Sequence, residues 1–431
     1  MKPNIVMFIT HDQGQYIGCY DSPQVPNNLN TPNLDKLAER GVMFTNYFCT
    51  APQCSPSRGS IQTSLYPHQN GLMGLVNRGW TLPDTNKTLA MYIKENGYTT
   101  HLLGLQHESL NAETLGYDTI SKRGPEFKYS RGRMEKQYKR FLEDHKSDEK
   151  PFFVNIGTIE VHRPFRAWSE PVDPSRVKVP SYLPDNEEVI KDLAEFYGNV
   201  EIVDKTIGKL ITYLEELNLI DNTLFIYTTD HGIPFPRAKC TLYDPGLKTC
   251  LIMYHKDTKE FSGGKKIHSL LSNIDFLPSV IDYIGGKLPD DIEGRSFIPI
   301  LRGITDVTRK EIFAEKTFHE IYDPIRGVRT KDFKYIRNFE DLDTLYQIPQ
   351  DIIRDPAGQV MKEEYEEPRP EEELYDLRKD PEEKNNLVRS GEYRGILKQM
   401  KRKLKQWMEK TNDPLLKGKV EEKQRKVQGH Y

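Results

Sequence analysis

The sequence predicts an α/β fold: a large domain with a mostly parallel central sheet flanked by helices, then a smaller C-terminal α+β domain. Three observations predict it. Apolar, β-branched runs alternate with helical patterns through the first part of the chain. Those runs are continuously apolar rather than alternating, as in strands buried on both faces. After about residue 305 the texture changes to a hairpin-like segment, an acid-rich stretch and a basic amphipathic helix. The expected domains are therefore 1–305 and 306–431.

Taken in order, Asn-Ile-Val-Met-Phe-Ile-Thr at 4–10 reads as a buried strand running straight into His11-Asp12. Thr31 to Gly41 is a marked helix, with Thr31 as its N-cap, Pro32 at its first position and Gly41 as its stop. Further strands are expected at 98–103, 152–156 and 223–229, and helical patterns at 86–96 and 187–218. In the last of these, Val189, Leu193, Phe196, Val200, Val203, Ile207, Leu210 and Leu214 recur at the spacing of one buried stripe. Residues 329–336 read as a hairpin strand of a small antiparallel sheet. Residues 392–410 read as a helix carrying Ile396, Met400, Leu404 and Trp407, and the polar residues beyond it are expected to fray.

Composition narrows the function. The 431 residues carry 61 Lys+Arg against 64 Asp+Glu, a net charge of −3. That balance argues against a protein built to grip nucleic acid. No run approaches the ~20 apolar residues of a membrane span. The five cysteines, Cys19, Cys49, Cys54, Cys240 and Cys250, form neither a disulfide framework nor a zinc spacing. With no recognisable leader, the expected location is the cytoplasm.

In a parallel sheet, ligands bind beyond the carboxyl ends of the strands. His11-Asp12 and Asp230-His231 both fall there. The most specific segment is Cys54-Ser55-Pro56-Ser57-Arg58, a Cys-x-Pro-Ser-Arg pattern followed by a helix-like stretch and Tyr66-Pro67-His68-Gln69-Asn70-Gly71. Gly97 to His107, Asp230-His231-Gly232, Ile274 to Pro278, Glu293 to Ser296 and Glu373 to Leu377 complete a set of motifs spread over most of the chain.

On these motifs the chain resembles the sulfatase family, within the alkaline-phosphatase-like superfamily, and most of all its heparan N-sulfatase branch with its bacterial relatives. The resemblance implies that a maturation enzyme oxidises Cys54 to formylglycine, whose hydrate offers one hydroxyl as nucleophile and another to expel the bound group. It implies a divalent metal, calcium by family, held by Asp12, Asp230 and residue 54. It implies that Arg58 stabilises the transferring group, that His107 and His162 handle protons, and that Lys239 meets the sulfate and leaving oxygen. More weakly, His319-Glu320 resembles a pair that contacts substrate. The substrate implied is a small sulfated molecule, a sugar, carrying a sulfate ester or sulfamate.

Three positions depart from the family pattern. His11 stands where an acid is usual, His231 where an asparagine is usual, and Leu105 where a lysine is usual. The two histidines, as added ligands, favour Mn²⁺ or Zn²⁺ over calcium, which prefers oxygen. Two alternative readings follow: a phosphonate or phosphodiester hydrolase of the same superfamily, and a non-catalytic saccharide-binding relative. His11 can also be read as turning away to a hydrogen-bonding role, and His68 and His101 as ordinary structural histidines.

Overall fold

The structure is a computed structural model describing residues 2–22, 24–25, 28–121, 131–167 and 169–423. Its centre is a sheet in the order Lys265–Ile267, Val42–Phe44, Leu251–Tyr254, Thr223–Thr229, Asn4–Thr10, Phe152–Gly157, Thr99–Gly104, Thr119–Ile120. Five of its pairings are parallel. The two antiparallel pairings both involve Leu251–Tyr254. The mostly parallel sheet expected from the continuous apolar runs is what forms.

Every residue of Asn4–Thr10 and of Thr223–Thr229 is buried. Along Asn4–Thr10 the side chains alternate between two cores: Val6 and Phe8 join one, Ile5, Met7 and Ile9 the other. At roughly 1.5–3 kcal/mol for each large apolar side chain buried, these central strands anchor the fold. The long helix Glu187–Glu216 covers the first core with the predicted stripe, and Asn186 caps it by accepting a hydrogen bond from Val189 N at 3.0 Å.

The chain from Glu311 to Asp376 builds a second, antiparallel sheet of four strands: Glu311–Phe318, Tyr322–Thr330, Phe333–Asn338 and Glu372–Asp376. The helix Arg394–Lys410 packs on it through Met400, Leu404, Trp407 and Met408. Among the described residues no helix is long and apolar enough to cross a membrane.

Three local expectations are corrected. Thr31 precedes the helix Pro32–Arg40, but its side chain makes no cap. Its hydroxyl instead donates to Asp35 and accepts from Gly18 N. The free N–H groups of Asn33 and Leu34 are met by the Asp204 carboxylate, at 3.0 and 2.8 Å. Residues 329–336, read as one hairpin strand, span the hairpin's turn and the ends of two strands, Tyr322–Thr330 and Phe333–Asn338, closed by the pair Arg329 and Lys334. Just beyond the helix Arg394–Lys410 the chain is held rather than frayed. Asp413 is fully buried and takes both Arg326 Nε, at 2.5 Å, and Arg326 Nη2, at 3.1 Å. Residues 424–431 of that expectation lie outside the described residues.

Candidate active site

Four parallel strands end at one place, and each delivers part of the site. Asn4–Thr10 delivers His11 and Asp12, and Thr223–Thr229 delivers Asp230 and His231. Thr99–Gly104 leads to Leu105 and His107, and Phe152–Gly157 leads to His162. Two glycines permit the closeness. A Cβ on Gly157 would lie 1.8 Å from the Leu105 carbonyl oxygen, and one on Gly232 would lie 1.9 Å from that of Pro245. Asp12 itself holds a positive φ of 51°, a left-handed conformation that aspartate tolerates better than most residues.

Cys54 opens the helix Cys54–Thr63, all ten residues of which are buried. Its Sγ lies 3.5 Å from Asp12 Oδ1 and 3.3 Å from His231 Nε2. One turn on, Arg58 donates from Nε to Asp230 Oδ2 at 2.9 Å and from Nη2 to the Thr10 carbonyl at 3.0 Å. Asp230 Oδ1 accepts the backbone N–H of Asp12 and of His231, at 3.0 and 2.9 Å. Both oxygens of Asp230 are thus engaged and its orientation is fixed.

Asp12 is split between two tasks. Its Oδ2 accepts from Lys239 Nζ at 2.6 Å, while its Oδ1 faces His231 Nε2 at 2.9 Å. Lys239 Nζ also lies 3.4 Å from His162 Nε2 and 3.4 Å from Asp351 Oδ2. The His162 Nδ1–H donates to the Arg163 carbonyl at 2.6 Å, so Nε2 is the nitrogen turned to Lys239.

Burial and charge set the protonation states. Burial opposes charge on Asp12, but Lys239 and then the nearby histidines hold its carboxyl well below the usual range. Burial likewise opposes charge on Lys239, and Asp12 outweighs it, so the ammonium persists. Burial, then Arg58, lowers His107 to about 3, leaving a neutral imidazole. Burial, then Asp12, pushes the Cys54 thiol well above its ordinary range.

The donor set fits a divalent cation. One donor atom each from His11, Asp12, Cys54 and Asp230 lies within 4.8 Å of the others, and all four residues are buried. His11 Nδ1 approaches Asp230 Oδ2 at 3.2 Å, yet neither ring nitrogen has a hydrogen-bond partner among the described residues. At His231 the Nδ1–H donates to the Gly232 carbonyl at 2.9 Å. Its Nε2 lone pair then faces a carboxylate oxygen, a juxtaposition that calls for a cation or a proton between them.

A cavity of about 340 Å³ opens over this cluster, lined by His11, Cys54, Leu105, His107, His162 and Lys239 on the cluster side. His319 and Glu320 line the same cavity, together with Arg78 and Asp351. Every residue expected at the site thus falls in the cluster or on the cavity wall. Sequence reasoning missed Asp351 and Arg78. Asp351 sits on a four-residue helix, Gln350–Ile353, in a stretch without a motif. Arg78 follows the matched His68–Gly71 segment by a few residues, which is its only signal. His101 is structural, its ring nitrogens 2.8 and 3.0 Å from Thr119 and Thr99 hydroxyls. His68 is likewise away from the cavity, paired through Nδ1 with Glu315.

Comparison with known proteins gives one consistent set. Residues 3–286 match the family model described as Sulfatase, and residues 237–372 match that described as N-sulphoglucosamine sulphohydrolase, C-terminal. An ulvan-active sulfatase of Formosa agariphila is 31% identical, over 96% of this chain and 81% of its own length. Human N-sulphoglucosamine sulphohydrolase is 26% identical, over 95% of this chain and 91% of its own. Among solved structures, one bound to D-glucosamine-2-N,6-O-disulfate superposes with a TM-score of 0.74 at 20% identity, covering 96% of this chain and 99% of that one. A phosphonate monoester hydrolase of Silicibacter pomeroyi gives 0.73 at 18%, covering 96% and 97%. At such identities the two structures speak for the fold, which both share.

Proposed function

This chain belongs to the sulfatase family, and on that premise we propose that it hydrolyses the sulfate ester or sulfamate of a sulfated sugar. The observation that carries the reading is the meeting of Cys54, Asp12, Asp230, Arg58 and Lys239 in one buried cluster under a cavity. The relatives' names, one for ulvan and one for N-sulphoglucosamine, support a saccharide as the carrier of the sulfate.

We assign Asp12, Asp230 and residue 54 as ligands of a divalent metal, with His231 and His11 completing the set. A bound divalent ion supplies positive charge beside the anionic ester and raises the acidity of oxygen nucleophiles, and formylglycine at position 54 supplies such an oxygen. Calcium is the family's ion, and the two imidazoles favour Mn²⁺ or Zn²⁺. A formylglycine-generating maturation enzyme is the implied partner.

The chain's own residues divide the remaining work. Arg58 and Lys239 are fixed cations, held on Asp230 and Asp12, that add positive charge to the cluster where sulfate must be bound. His107 stands at the cavity wall beside residue 54, where its imidazole can exchange a proton with a hydroxyl formed there. His162 works through Nε2, because its Nδ1 proton is committed to Arg163, and Lys239 beside it supports the departing oxygen. Leu105 and Ile159 line the same cavity and limit water around these charges.

The test is to produce the chain with and without a formylglycine-generating enzyme. Peptide mass at residue 54 is then read together with sulfate release from 4-nitrophenyl sulfate, glucosamine 6-sulfate and N-sulfoglucosamine. The expected result is an aldehyde at residue 54 and release that tracks its fraction. Full activity with an intact thiol would remove residue 54 as nucleophile precursor. Cys54→Ala should fold normally and lose turnover.

A further inference from the structure

We propose that Asp351 selects the sugar: its carboxylate faces the departing group, favours a hydroxyl or amine donor there, and disfavours a sugar carboxylate. This rests on the sulfatase reading of the site.

The cavity carries charges of both signs. Lys239 lines it with an ammonium, and Arg58 lies buried beneath, paired with Asp230. Two carboxylates, Asp351 and Glu320, line the same cavity. They are tied into one unit, since Glu320 Oε2 accepts the backbone N–H of Gln350 at 3.0 Å and so fixes the start of the short helix that carries Asp351. Arg78 Nη2 approaches Glu320 Oε1 at 3.5 Å from the other side. Asp351 is turned so that Oδ2 lies 3.4 Å from Lys239 Nζ and 4.0 Å from His162 Nε2. Its side chain keeps 30% of its surface exposed, against 2% for Lys239. It reaches the reacting centre yet remains open to a ligand.

A second, independent feature marks this wall as a binding surface. His319 is only 7% exposed and lines the same cavity. Its Nδ1 is buried with no hydrogen-bond partner among the described residues. A buried polar atom left unpaired in the free protein is expected to find its partner on a ligand. A carboxylate and an imidazole side by side are complementary to hydroxyl or amino groups of a sugar ring. A hexuronic acid would bring its own carboxylate against two others in a partly desolvated cavity, where like charges repel strongly.

The experiment compares the matured, metal-loaded enzyme with Asp351→Asn and Asp351→Glu. Substrates are 4-nitrophenyl sulfate, N-sulfoglucosamine, glucosamine 6-sulfate and a 2-O-sulfated hexuronic acid. The unaltered enzyme is expected to prefer a glucosamine sulfate over the uronate by at least about tenfold in kcat/KM. Asp351→Asn should raise KM for the glucosamine sulfate by about ten- to a hundredfold, the worth of one charge-assisted hydrogen bond. The rise in KM should be far larger for the glucosamine sulfate than for 4-nitrophenyl sulfate, which has no sugar donors, whatever change in kcat the two share through Lys239. Asp351→Glu, which keeps the carboxylate, should retain the preference. An equal fall in kcat on every substrate, without that difference in KM, would make Asp351 only a positioning residue for Lys239 and overturn the proposal. So would an unaltered enzyme that cleaves the aryl sulfate but favours the uronate or ignores the glucosamines. Release of sulfate from none of the four would strike the sulfatase reading itself, and this inference with it.

Discussion

Asp12 and Lys239 meet at 2.6 Å although 227 positions separate them, and both are buried. The pair joins the end of the first strand to the loop after the strand Thr223–Thr229 and carries one negative and one positive charge out of water together. Such a pair adds little net stability, but removing one partner is costly, at about 3–5 kcal/mol, because the other charge is stranded. Lys239→Met strands Asp12 against Asp351 and should lower the urea midpoint accordingly. It should also cut kcat on an aryl sulfate by at least about tenfold, the worth of a charge-assisted contact. Lys239→Arg keeps the charge and should recover most of the stability. Unchanged turnover in Lys239→Met would take the residue out of the reaction.

The two lone pairs at 2.9 Å, His231 Nε2 and Asp12 Oδ1, give a metal test with a readout independent of turnover. Replacing the imidazole with an amide adds an oxygen donor and removes a nitrogen one. His231→Asn should therefore weaken binding of Zn²⁺ and Mn²⁺ relative to Ca²⁺, because imidazole suits the transition ions and calcium prefers oxygen. Direct metal titration followed by calorimetry reads the ratio. Identical relative affinities in both proteins would exclude His231 from the ligand set.

His101 supplies a pH prediction far from the reaction. It lies on the strand Thr99–Gly104, between threonine hydroxyls and beside the rings of Phe141 and His145. Burial, then His145, lowers its pKa to about 4. The unfolded chain binds that proton near pH 6.5, the folded chain only near 4. Between those values the unfolded state holds more protons, so stability falls as pH drops from about 6.5 to about 4 and is level above it on this account. Urea midpoints at pH 5 and 7.5 should fall further apart in the unaltered protein than in His101→Gln. Equal differences would mean His101 contributes nothing to acid lability.

What the sequence made legible, and what it hid, follows from the range of the interactions. The strand ends were legible because an uninterrupted apolar run such as Ile5 to Ile9 announces a strand buried on both faces, and the polar residues that follow must emerge at the sheet's edge. Cys54 and Arg58, one helical turn apart, were legible as a local pattern. The cap of the helix Pro32–Arg40 was not. Thr31 is a good capping residue by type, but Asp204, 170 residues from Leu34, reaches the same N–H groups with a full charge. Asp351 was hidden for the same reason, since nothing near it in sequence says that Lys239 is its neighbour. The turn within 329–336 was not located inside the hairpin reading because its two-residue loop, Lys331-Asp332, lacks the glycine that marks such loops most strongly.

Leu105 bears on which anion the site prefers. Leu105 is 2% exposed and lines the cavity beside Cys54 and His107, at the position where the family resemblance leads one to expect lysine. Without that cation the positive charge near the substrate comes from Arg58, Lys239 and the metal. Sulfate monoesters carry one negative charge and phosphate monoesters about two near neutral pH, so a missing cation penalises the phosphate more. The unaltered enzyme should therefore hydrolyse 4-nitrophenyl sulfate faster than 4-nitrophenyl phosphate. Leu105→Lys restores a cation worth roughly 1.5–3 kcal/mol to an anionic group, a rate factor of about ten to a hundred. That gain should be larger for the phosphate, and the sulfate-to-phosphate ratio should shrink. Circular dichroism checks that the new ammonium is accommodated at the cavity wall. The fold alone also fits a phosphonate monoester hydrolase, so an aryl phosphonate monoester, a monoanion like the sulfate, belongs in the same assay. Faster turnover of the phosphonate than of every sulfate by the unaltered enzyme would transfer the site from sulfur to phosphorus chemistry. A phosphate preference already present with Leu105 in place would refute the charge argument outright.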